Sequence, residues 1–119
     1  MTLTRDTPTS TAADTYAARW FREMKIAALE KLLSGEPLTA DHLHTVGLEP
    51  PSRFYWGAVM KQPEIRAVAR PAFAGWVQSP RTGGTVRVWE LKPGKSQDAA
   101  QILKALKESR TAGEQANAV

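Results

Sequence analysis

No cysteine occurs in the 119-residue sequence, so neither a disulfide framework nor a Cys-based zinc site can form. Long apolar runs are missing too, and none approaches the roughly 18 residues that a membrane-spanning helix requires. Only two histidines are present, His42 and His44. A spacing of two on a helix points them about 200° apart, which prevents joint metal ligation from one face. They are expected as surface or capping residues. Acidic residues are scattered without a paired-carboxylate pattern, and no serine sits in a nucleophile motif. The one glycine pair, Gly83-Gly84, lies in a turn before a strand pattern and so is not a phosphate loop opening a helix. The expectation is a protein without enzymatic activity, metal or cofactor. The N-terminal MTLTRDTPTSTAAD has no apolar stretch of the secretory kind, which points to a soluble cytoplasmic protein with no membrane partner.

Hydrophobic residues make up 42% of the chain, enough for one compact core. Charge is distributed unevenly. From Met1 to Ser52, five Lys/Arg face seven Asp/Glu, a net of −2. From Arg53 to Lys95, eight cations (Arg53, Lys61, Arg66, Arg70, Arg81, Arg87, Lys92 and Lys95) face only Glu64 and Glu90, a net of +6. The rest is balanced. A basic block inside a folded region is the footprint of a phosphate-binding surface, although charge alone names no particular polyanion.

Residues 1 to about 12, rich in Thr, Ser and Pro, read as a flexible lead-in to a domain spanning 13–95. Tyr16, Trp20, Phe21, Met24, Ala28 and Leu32 recur at helical spacing and predict a long helix from Ala13 to Leu33, closed by Gly35 and Pro37. Thr39 is a candidate N-cap for a short helix from Ala40 to Val46, with Asp41 in its first turn and Leu38, Leu43 and Val46 facing the core. After Gly47 and Pro50-Pro51, Ser52 can cap a third helix from Arg53 to about Gln62. Pro63 can open one more turn, Glu64 to Val68, before Pro71 interrupts. The period then changes to that of strands, Ala74–Ser79 and Thr85–Leu91, around the hairpin signal Pro80-Arg-Thr-Gly-Gly84. A C-terminal helix is expected over about Gln97 to Ser109, within a segment 96–110, using Ala100, Ile102, Leu103 and Leu106, with 111–119 as a disordered tail. The fold class is therefore α+β and mostly helical. Two short helices, a turn and a hairpin describe a winged helix-turn-helix with a long N-terminal helix, a two-stranded wing and a C-terminal helix. Other small α+β domains share that element order.

The runs Pro37-Leu-Thr-Ala-Asp-His-Leu43, Trp56-Gly-Ala-Val-Met60 and Arg87-Val-Trp89 resemble small winged-helix proteins encoded by bacteriophages and prophages. The resemblance covers roughly Ala28 to Leu91, and Gln62 to Ala74 is longer and more broken than in that family. It implies a DNA-associated role in transcription regulation or phage DNA replication.

If Arg53 to Lys61 is helical, Tyr55, Trp56, Val59 and Met60 share one side, and Arg53, Phe54, Gly57, Ala58 and Lys61 share the other. The first set is read as core. In the second, glycine and alanine between two cations permit close approach of a partner, with Arg53 placed to meet bases and Lys61 to reach a phosphate. Arg81 forms a basic, mobile hairpin tip suited to a minor groove or to phosphates. Arg87, across the strand from core-facing valines, and Lys92 and Lys95 share that surface. An exposed Trp89 would mark a docking place for the C-terminal helix, or less readily stack on an unpaired base. The candidate DNA-binding residues are thus Arg53, Phe54, Lys61, Arg81, Arg87, Lys92 and Lys95, with duplex DNA favoured. The alternative is a protein-interaction module that binds a host or phage polymerase or replisome protein. The N-terminal helix also suits a homodimer.

Overall fold

A computed structural model describes residues 16–118; the expected N-terminal lead-in lies outside them, as do residues 13–15 of the expected long helix. The chain is α+β and about half helical. Helix α1 spans Tyr16–Leu33, α2 Ala40–His44, α3 Tyr55–Val59 and α4 Pro63–Arg66. Strands β1 (Ala69–Gln78) and β2 (Thr85–Leu91) follow, and α5 covers Ser96–Ala118.

The apolar stripe of α1 does what its spacing predicts, with Trp20, Met24, Ala28, Leu29 and Leu32 buried in the core. Gly35, at φ +84°, carries the chain out of the helix in the left-handed region. The core is completed by Leu38, Leu43, Val59, Ile65 and Val68 from the following elements. Val46, expected there too, is 38% exposed, because α2 ends at His44 and Thr45-Val46 already belong to the turn. Helix α3 begins two residues later than predicted. Ser52 accepts hydrogen bonds from the Phe54 N–H through its hydroxyl and from the Tyr55 N–H through its carbonyl. Arg53 thus precedes the helix instead of opening it.

Pro71 does not interrupt the chain; it sits inside β1, opposite Trp89 of the antiparallel partner. The reason lies in what Trp89 does with its backbone. Its N–H donates to the Leu38 carbonyl at 2.8 Å and its carbonyl accepts from the Leu38 N–H at 3.0 Å. Both groups therefore point away from β1, so Pro71 occupies a position where the ladder needs no donor from it. The bridge from Leu38 widens the sheet to three strands in the order Leu38 segment, β2, β1. Beyond Pro71 the register breaks. The next partner pair is Trp76 with Arg87, so β1 takes five steps where β2 takes two. Gly75, at φ +77°, lies in this bulge, and the Phe73 side chain projects from it, fully exposed.

Two further expectations hold only in part. Trp89 and Leu91 pack against the main core, whereas Val88 is buried outside it and Val86 is half-buried. Trp89 is therefore no exposed docking place for α5. That helix instead packs on α1 through buried Ala99 with Ile102, Leu103 and Leu106, while Ala100 faces solvent. Ion pairs Lys107–Glu30 and Arg110–Glu23, each 2.8 Å, set the two helices antiparallel. The helix also continues to Ala118, through residues expected to form a disordered tail.

The hairpin turn is organised by one buried polar side chain, Ser79. Its hydroxyl donates to Asp41 Oδ1 at 2.9 Å and accepts from the Arg81 and Thr82 N–H groups at 3.2 and 3.1 Å. Ser79→Ala strips two backbone donors and one carboxylate of a partner in a water-poor place. It is expected to lower stability by about 1–2 kcal/mol in urea unfolding, and a loss well below about 0.5 kcal/mol would show that the turn holds without it.

Candidate nucleic-acid interface

Phe54 and Met60 flank α3 with helical dihedrals, so the face relation inferred for this segment extends over 54–60. Val59 is buried, and Tyr55, Trp56 and Met60 pack against the core as expected. On the opposite side Arg53, Gly57 and Lys61 are exposed, and so is Phe54, at 76%. The Arg53 guanidinium lies 5.2 Å from the Phe54 ring centroid, a cation–π contact at the surface.

Between α3, α4 and the base of the hairpin is a groove of about 530 Å³. Four cations line it, Lys61, Arg66, Arg70 and Lys92, together with Gly57 and one side of Trp89. Arg70 is matched by Glu90 on the neighbouring strand, Nε to Oε2 at 2.7 Å. Lys61, Arg66 and Lys92 have no carboxylate within ion-pair distance among the described residues. Lys92 Nζ donates to the Arg66 carbonyl at 2.9 Å, which fixes its ammonium beside α4 while leaving further donors available. The acid nearest in sequence, Glu64, is drawn away by Lys25 at 3.0 Å. Burial works against the charged form of Glu64, but the Lys25 hydrogen bond and charge prevail and keep its carboxyl below the usual range.

The candidate residues thus divide. Lys61 and Lys92 meet in the groove, joined by Arg66 and Arg70, which charge counting had included in the basic block but not singled out as contacts. Proline-flanked α4 carries Arg66, and the bulged strand carries Arg70; each reaches the groove only because the chain folds back after Gln62. Phe54 lies one helical turn from Gly57 on the same face, with Arg53 just before it, outside the helix. Arg87 stands apart, stacked 4.4 Å from the Trp76 ring and 6.0 Å from Trp89. Lys95 pairs with Asp98 at 3.4 Å in the first turn of α5.

Arg81 departs most from expectation. Its Nε pairs with Asp41 Oδ1 at 3.0 Å, so the expected free tip is tied to the first turn of α2. Asp41 also accepts from Ser79, and this three-residue link fixes the hairpin against the helix pair. No sequence spacing connects positions 38 to 40 residues apart; only the sheet register brings them together.

His44 is neither free nor a capping group. Its imidazole stacks on Trp56 with centroids 3.7 Å apart. Burial lowers its pKa, helped by the Arg81 charge and opposed by Asp41 and Glu49; burial likewise lowers that of His42, with Lys31 adding to it and Glu36 opposing. Folding therefore favours the neutral imidazoles. The unfolded chain takes up protons near pH ~6.5 while the folded chain resists them, so this stability is complete above that pH and is lost as pH falls toward the folded-state values. Thermal unfolding is expected to show a lower Tm at pH 5.5 than at pH 7.5, with part of the difference abolished in His44→Asn. Equal sensitivity in the variant would remove His44 as a cause.

Comparison of the chain with protein-family models, with curated proteins and with solved structures finds no match in any of the three. Among the described residues no helix is long and apolar enough to cross a membrane.

Proposed function

We propose that the chain is a winged-helix protein that binds duplex DNA, acting as a transcriptional regulator or replication accessory factor of phage or prophage type. The observation that carries this reading is the groove beside α3, where three cations without carboxylate partners among the described residues converge. Phosphates dominate the attraction of protein to DNA, and cations held in a fixed concave arrangement suit them better than cations scattered over a surface. The element order, helix pair then hairpin, supports a placement with the α3 face toward the major groove and the hairpin along the backbone. Arg53 and Phe54, exposed at the start of that face, are the residues positioned to meet base edges. Arg87 lies further out on the hairpin, its charge spread over the Trp76 ring. Arg81 and Lys95 are less suited to direct contact, since each is matched by a carboxylate of its own.

Labelled duplex, single strand and RNA titrated over a range of salt concentrations test the reading. Duplex should bind most tightly, with log K falling against log salt at a slope of about −3 to −4 for three or four neutralised phosphates. Lys61→Ala and Lys92→Ala should each reduce that slope by about 1 and weaken binding to all sequences alike, while Arg53→Ala should relax sequence preference. Absence of binding at low salt, or affinity indifferent to salt, refutes the proposal.

A second reading has its own observation. On the other side of the sheet, between the end of α1 and the β1 bulge, an apolar hollow of about 630 Å³ is lined by Leu32, Leu33, Ala72, Phe73, Val77 and Val88, among others. Phe73 is fully exposed and Val77 43% exposed beside it. Such a surface suits a protein-interaction module for a host or phage polymerase or replisome protein. Under that reading Phe73→Asp abolishes co-purification of such a partner, whereas under the DNA reading it leaves duplex affinity within about twofold.

A further inference from the structure

Gly57 sits in the middle of α3 for no reason that the fold supplies. Its backbone is not in the left-handed region, unlike that of Gly35, Gly47, Gly75, Gly83 and Gly94. A Cβ placed on it meets nothing within 4 Å, so no neighbour requires its absence. Glycine is also the poorest helix former after proline, so alanine here would help a helix of only five residues. Neither conformation nor internal packing accounts for the bare position. What remains is the groove that Gly57 lines, with Lys61 one turn along the same face and Arg66 and Lys92 across from it.

We infer that the groove is a seat for a phosphodiester of the nucleic-acid backbone, received directly against the α3 backbone at Gly57 and held by Lys61, Arg66 and Lys92. This inference rests on the DNA-binding reading and deepens it by naming which part of the ligand enters which hollow. Three features agree on an anion. Among the described residues Lys61, Arg66 and Lys92 have no carboxylate partner, the Glu90 carboxylate is engaged by Arg70, and Glu64 is held off by Lys25. The ammonium of Lys92 is also positioned in advance by the Arg66 carbonyl, so little side-chain freedom is lost on binding. A side chain at 57 would stand in the space that the phosphate and its sugar occupy. A phosphate seated there brings the neighbouring nucleotide toward Phe54, one turn away and exposed.

The test uses the full chain with Gly57→Ala and Gly57→Leu. Both variants are expected to fold with Tm unchanged or a few degrees higher, because the space is open and both residues favour helix. Duplex affinity should fall severalfold in Gly57→Ala and at least about tenfold in Gly57→Leu, with the wild-type response to salt otherwise retained. Amide shifts on titration with inorganic phosphate and with duplex provide the second readout, and Gly57, Lys61 and Lys92 should move in both. A folded Gly57→Leu that binds duplex like the wild type overturns the seat and leaves the DNA reading standing. Phosphate shifts at Gly57 and Lys61 without any duplex binding keep the seat as an anion site and retire the DNA reading. No shift at these amides with either ligand overturns the seat.

Discussion

The indole of Trp20 is wholly buried, edge-on to Phe21, Tyr55 and Trp56 at centroid distances of 5.1 to 5.9 Å, and its Nε1 donates to the Leu48 carbonyl at 3.1 Å. One side chain therefore holds α1, α3 and the long connection before α3 in a single arrangement. The hydroxyl of Tyr16 adds a second anchor by donating to the Glu49 carbonyl. The connection spans 45–54 and is stiffened only by the two prolines Pro50 and Pro51, so without these two bonds from α1 its carbonyls would have to find water at the edge of an aromatic cluster. Everything proposed for the α3 face depends on this hub, because α3 itself is too short to hold its own direction.

A second fixed point lies on the opposite side of the helix pair. Asp41 accepts from both Ser79 and Arg81, which clamps the far end of the hairpin to α2. Near its base the hairpin is held by the Leu38 bridge to Trp89 and by the Lys92 N–H donating to the Val68 carbonyl at 2.7 Å. Between the two clamps the β1 strand bulges, and there the aromatic side chains of Phe73 and Trp76 emerge. The hairpin is thus secured at tip and base and irregular in its middle, with Phe73 lining the apolar hollow and Trp76 on the face of Arg87 and Trp89. Trp89, lining both hollows, is the wall between them.

Charge is used in two ways. Where a cation faces its own carboxylate across a strand or helix, as Arg70 does Glu90 and Arg81 does Asp41, it serves the fold with the modest stabilisation of a surface pair. Where it has none, as with Lys61, Arg66 and Lys92, its field extends into the groove. The net of +6 in the central segment counted both kinds alike, so it located a basic region but could not tell the structural cations from the available ones. Arg81 is the instructive case. Its place in a glycine-rich turn made it look free, and only the proximity of a residue 40 positions earlier decided otherwise.

Helical periodicity and glycine punctuation were enough to place α1, its end at Gly35, the hairpin and the inward side of α3, because these depend on interactions within a few residues. The uneven charge along the chain was equally plain. Non-local pairing decided the rest. Whether Pro71 breaks the chain or joins a strand depends on which way the Trp89 amide points, and that depends on Leu38. Whether Trp89 or the valines of β2 face the main core depends on how the sheet packs on α1. The groove itself unites side chains from α3, α4, β1 and the exit of β2, four segments with no common period. Gly57 lies between these two cases: the residue and its place between two cations were visible in the sequence, but only the folded chain shows open space above it and the groove that it lines.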